Sequence, residues 1–94
     1  MNDPKITNIS FSGLIEDVGE AACRAMPPGS RHRYKMAVTY HIEDKPDENG
    51  IIRHKTRKGL QQRIIDLTDY AAQGRVFAWY DSVCGKFCGT KLTF

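Results

Sequence analysis

The chain has 94 residues and a mass of 10.7 kDa, which limits it to a single domain (1–94), since two would leave neither half enough chain to bury a core. Hydrophobic residues make up 40% and charged residues 27%; this excludes a disordered chain, and no apolar run approaches the ~20 residues of a membrane-spanning helix. The net charge of +3 with a pI near 8.9 permits an anionic partner without requiring one.

Met1-Asn2-Asp3-Pro4 lacks the basic flank and apolar stretch of a signal peptide. Three cysteines are an odd number and too few for a disulfide scaffold. The expectation is a cytoplasmic protein with reduced thiols and no membrane partner.

The first strand is predicted over Ile6–Phe11, where Ile9 and Phe11 alternate with Asn8 and Ser10. Ser12 then caps a predicted helix, because Leu14, Ile15, Val18, Ala21, Ala22, Ala25 and Met26 recur at three- and four-residue steps, with Glu16, Asp17 and Glu20 opposite them. Pro27-Pro28-Gly29 stops it. In the next segment Tyr34, Met36, Val38, Tyr40 and Ile42 occupy every second position, which predicts a strand with this row in the core and Arg33, Lys35, Thr39 and His41 on a wet face. The turn formers from Asp44 to Gly50 lead to a short strand from Ile51 to about Lys55, so the two strands form a hairpin.

Thr56 caps a second helix whose apolar positions are Leu60, Ile64, Leu67 and Ala71, and Gly74 ends it. Residues Arg75–Asp81 are strand-prone and apolar on both faces, as in a strand inside a sheet. After a turn over Ser82–Gly85, a last strand places Cys88, Thr90, Leu92 and Phe94 on one face.

The resulting order, β-α-β-β-α-β-β, predicts an α+β two-layer sandwich with a mainly antiparallel sheet and both helices on one face. Its first six elements match the split β-α-β order of ferredoxin-like domains, a likeness of fold that assigns no function.

Charge is distributed unevenly. Residues 1–28 balance to −2 and residues 64–94 to zero, while residues 29–63 carry nine Lys/Arg against four acids. Those acids fall between Glu43 and Glu48, leaving two basic clusters, Arg31-His32-Arg33-Tyr34-Lys35 and Arg53-His54-Lys55-Thr56-Arg57-Lys58. The second works against helix stability, because Lys55, Arg57 and Lys58 crowd an N-terminal turn where cations cost a few tenths of a kcal/mol each (~0.3 or more). The candidate binding residues for nucleic acid or another anionic partner are therefore Arg31, Arg33, Lys35, Arg53, His54, Lys55, Arg57 and Lys58. The plainer alternative is a solvated basic face.

Other chemistry finds less support. Cys84 and Cys88 have a spacing that zinc tolerates, but Cys23, His32, His41 and His54 supply no second close pair, so no metal and no cofactor are expected. There is no phosphate loop or nucleophile elbow, and His41 alone is a weak general base for RNA cleavage, so no enzyme is expected. In Phe77-Ala78-Trp79-Tyr80, whichever of Trp79 or Tyr80 faces outward is a natural anchor for a protein partner or a homodimer. The expected function is that of a small non-enzymatic binding protein using residues 31–63 to engage nucleic acid or an acidic protein surface. Its alternatives are a phage-type inhibitor that occludes a host defence or transcription complex, a small RNA-cleaving enzyme and a zinc-stabilised module.

Overall fold

A computed structural model describes residues 3–93. Its elements are β1 (Ile6–Phe11), β2 (Glu16–Asp17), α1 (Glu20–Ala25), a 3-10 turn (Pro28–Ser30), β3 (Tyr34–Ile42), β4 (Glu48–His54), α2 (Arg57–Ala72), β5 (Val76–Tyr80) and β6 (Phe87–Leu92). The class is α+β, with two helices and antiparallel strand pairing throughout.

The centre of the sheet is β3. One edge of it pairs with β1, from Ile6 opposite Ile42 to Phe11 opposite Val38, and then with the short β2, where Glu16 opposes Lys35 and Asp17 opposes Tyr34. The other edge pairs with β4, from Tyr34 opposite His54 to Tyr40 opposite Glu48. The hairpin of β5 and β6 joins the free edge at the start of β1 through a Lys5–Phe77 bridge and the Ala78 N–H, which donates to the Pro4 carbonyl at 2.8 Å. This sets β5 and β6, a separate two-stranded sheet, beside β1 through an isolated bridge, so the run expected inside the main sheet is not one of its strands, and Trp79 on it stays exposed.

The alternating row of β3 is inside as predicted: Met36, Val38, Tyr40 and Ile42 are buried and Tyr34 is half-buried. On β1 a register shift between Ile6 and Asn8 lets Ile6 and Ile9, three residues apart, both face inward. Helix α2 lies across β1, β3, β4 and β5 and closes the core with Leu60, Leu67 and Ala71, joined by Val76 and Ala78 of β5. Complete burial of Leu60 contributes roughly 2–3 kcal/mol. The predicted cap is present, since the Thr56 hydroxyl accepts from the Gly59 N–H at 3.0 Å, and Gly74 leaves the helix at φ 70°.

Three further expectations are corrected. The predicted first helix forms only over Glu20–Ala25, with none of its residues buried. Gly13 and Gly19 take φ values of 80° and 88°, conformations that break a helix and suit glycine. Residues 16 and 17 pair with β3 instead, and α2 is left as the helix that covers the core. Second, β1 and β3 are direct antiparallel neighbours. A split β-α-β unit would hold another strand between them, so the strand order departs from the predicted ferredoxin-like one. Third, the pairing of β5 with β6 skips Cys88, for Trp79 opposes Gly89 and Tyr80 opposes Phe87. Phe87 takes the inward place and Cys88 is exposed, while Phe94, predicted for the same row, lies outside the described residues. Among the described residues no helix is long and apolar enough to cross a membrane.

Candidate anionic-partner interface

The two basic clusters meet at one end of the sheet, because Tyr34 at the start of β3 opposes His54 at the end of β4. Their chemistry differs there. In the first cluster the charges are engaged. Arg33 donates to both carboxylate oxygens of Asp17, at 2.7 and 2.9 Å, and Lys35 Nζ stands 3.4 Å from Glu16. The Arg33 hydrogen bonds, helped by the Gly19 N–H, hold the Asp17 carboxyl below its usual range, and the same pairing raises the Arg33 guanidinium above its own. Arg31 donates to the carbonyls of Met26 and Arg24, at 3.0 and 3.3 Å, so it caps the end of α1.

In the second cluster most charges are free. Arg53, Lys55 and Lys58 are exposed and have no ion pair or hydrogen bond among the described residues. Arg57 packs its guanidinium 5.2 Å from the Tyr34 ring centre, which Arg33 also approaches at 5.5 Å, and among the described residues it meets no carboxylate at salt-bridge distance. Arg63, one turn further along α2, is exposed and opposes the upward shift that burial gives the Tyr40 phenol. His54 is structural: its Nδ1 accepts from the Thr56 N–H at 3.2 Å and its ring lies against Gly59. That bond ties the ring to the residue that caps α2.

The aromatic candidates separate. Trp79 points outward with 47% of its surface exposed and Lys91 5.5 Å from its ring. Tyr80 turns inward and packs edge-on against Phe87, which in turn meets Tyr40. Among the described residues no three His, Cys, Asp or Glu side chains gather where a metal could be held.

Sequence reasoning missed that Glu16 and Asp17 neutralise the first cluster, because it placed both acids on a helix. The glycines at 13 and 19 were the available signal against that helix, since each costs ~1 kcal/mol in a helix interior. Comparison with protein-family models, curated proteins and solved structures finds no match for this chain.

Proposed function

We propose that the protein is a small binding protein that engages the phosphate backbone of nucleic acid through the end of β4 and the first turns of α2. The observation that carries this reading is the contrast between the two clusters. Arg31, Arg33 and Lys35 serve the fold, whereas Arg53, Lys55, Arg57 and Lys58 have no carboxylate at salt-bridge distance among the described residues, and Lys55, Arg57 and Lys58 sit where the helix dipole opposes them. Cations placed against local stability and left unpaired are suited to phosphate, with the first backbone N–H groups of α2 adding to the attraction. Fluorescence anisotropy with labelled mixed-sequence RNA and DNA at low salt tests the reading. Binding is expected, and changing Lys55, Arg57 and Lys58 together to Glu lowers affinity at least ~100-fold. Absence of binding at low salt, or an unaffected triple variant, refutes it.

A second reading, an acidic protein surface as the partner, is favoured by Ile51. This side chain is 47% exposed on the sheet face opposite α2, two residues from Arg53. An apolar residue beside unpaired cations fits a protein interface, and a compact domain seated there would occlude its partner. If nucleic acid does not bind, capture of an acidic protein by the parent chain and not by the triple variant supports this reading.

A further inference from the structure

Three groups from adjacent strands meet on the sheet face that α2 leaves uncovered. Ser10 is on β1, His41 on β3 and Asp47 immediately before β4. Strand register dictates the meeting. Ser10 opposes Thr39, so His41 is its diagonal neighbour on the same face, and the pairing of Tyr40 with Glu48 brings Asp47 alongside His41. Ser10 Oγ lies 2.6 Å from His41 Nε2, and His41 Nδ1 lies 3.1 Å from Asp47 Oδ1.

An ionised Asp47 can only accept, so it holds the ring proton on Nδ1 and leaves Nε2 to accept from the Ser10 hydroxyl. A hydroxyl, a base placed to take its proton and a carboxylate that orients the base make up an activated nucleophile. Strands position all but Asp47, which adjoins one, and strands hold a constellation more firmly than loops do.

Ser10 also borders an open trough of about 640 Å³ on this face, with Thr39, Asn49, Ile51 and Arg53 among its other walls. The Thr39 hydroxyl donates to Asn49 Oδ1 at 3.2 Å, which leaves the Asn49 amide nitrogen without a partner among the described residues. That nitrogen and the unpaired Arg53 guanidinium are trough donors that negative charge can engage.

We propose that Ser10 is a catalytic nucleophile for acyl transfer and that the trough takes a small carboxylic ester bearing an anionic group, which Arg53 receives. The Ser10 oxygen bonds to the ester carbonyl carbon while its proton passes to His41 Nε2 and the carbonyl electron pair moves to oxygen. Collapse breaks the bond to the leaving alcohol, which takes the proton back from Nε2. Water then repeats both steps at the acyl-serine, releasing the acid and restoring Ser10. The inference shares Arg53 with the binding reading, rests otherwise on the Ser10, His41 and Asp47 geometry, and goes against the expectation of no enzyme. Ser10 and His41 are 31 residues apart in the chain and carry no motif.

A fluorophosphonate probe tests it on the full chain, because attack by the serine oxygen forms an oxygen–phosphorus bond and expels fluoride. Intact mass and peptide mapping are expected to show one adduct, on Ser10, absent in Ser10→Ala and formed at least tenfold more slowly in His41→Ala and Asp47→Asn. Ser82→Ala, at an exposed serine in the turn before β6 that does not line the trough, is expected to label at the parent rate. Circular dichroism confirms that each variant is folded. No adduct, an adduct on another residue, or a Ser10 adduct whose rate ignores His41 overturns the proposal.

Discussion

Replacing Gly59 with alanine sets helix propensity against a close contact, and the structure says which wins. A Cβ at this position would stand 2.1 Å from His54 Cε1, 2.2 Å from Nδ1 and 2.7 Å from Nε2, well inside the optimum of about 3.5–4 Å between carbons. The imidazole must therefore move by an ångström or more, and Nδ1 then loses the Thr56 N–H. That bond contributes about 1 kcal/mol. Overpacking of a half-buried ring adds about 1–2 kcal/mol, while alanine returns about 1 kcal/mol of helix propensity. The net expectation for Gly59→Ala is a loss of about 1–2 kcal/mol. With His54→Ala already present the obstacle is gone, and the same change stabilises by about 1 kcal/mol, a coupling of about 2–3 kcal/mol. Urea denaturation of the parent, both single variants and the double variant, followed by circular dichroism, measures this cycle. If Gly59→Ala stabilises the parent as much as it stabilises the His54→Ala protein, the ring does not occupy the space above Gly59 and the reasoning is wrong.

Other expected outcomes follow from burial and pairing. Leu60→Ala, at a fully buried position, should cost about 2–5 kcal/mol in urea denaturation, whereas Ile65→Ala, at a residue 54% exposed on the same helix, should change stability by less than about 0.5 kcal/mol. Asp17 has its folded carboxyl depressed by Arg33, so it contributes stability above its unfolded titration range, and that contribution fades as pH falls through the depressed one. Thermal melts of Asp17→Asn should therefore lie below the parent at neutral pH and converge with it in strong acid; a constant gap would contradict the pairing. Trp79, the sole tryptophan and half-exposed, should emit at long wavelength and be quenched by acrylamide, and a buried-type spectrum would mean that its face is covered.

Parts of this architecture are legible in the sequence because they rest on local periodicity. The two-residue repeat of Tyr34–Ile42 and the Leu60, Ile64, Leu67 and Ala71 stripe behind Thr56 each state an element and its buried face, and both elements are present. The segment from Leu14 to Met26 misleads, because three of its seven periodic positions are alanines, which bury little, and it contains Gly19. Ala21, Ala22 and Ala25 end exposed, and Leu14 is 74% exposed. The face presented by β6 depends on a single skipped residue, Cys88, which no two-residue repeat can announce.

The candidate sites were legible to different degrees. Local sequence placed the second basic cluster at a helix start, as observed. Which cations are free was not legible, since Asp17 and Arg33 are 16 residues apart and meet only through the pairing of β2 with β3. The Ser10, His41 and Asp47 constellation is invisible for the same reason: strand register, not spacing along the chain, makes those residues neighbours.

The central claim is that Arg53, Lys55, Arg57 and Lys58 form a phosphate-binding edge, and the salt dependence of binding to a single-stranded oligonucleotide tests it most directly. Four phosphate contacts give a slope of log affinity against log salt of about −2.8, a loss of about 50-fold between about 50 and about 200 mM. Changing Lys55, Arg57 and Lys58 to Glu should flatten the slope to about −0.7, for the one contact that remains, whereas Arg33→Gln, at a cation already held by Asp17, should leave it unchanged. A parent slope near zero, or a triple variant with the parent's slope, would contradict the account.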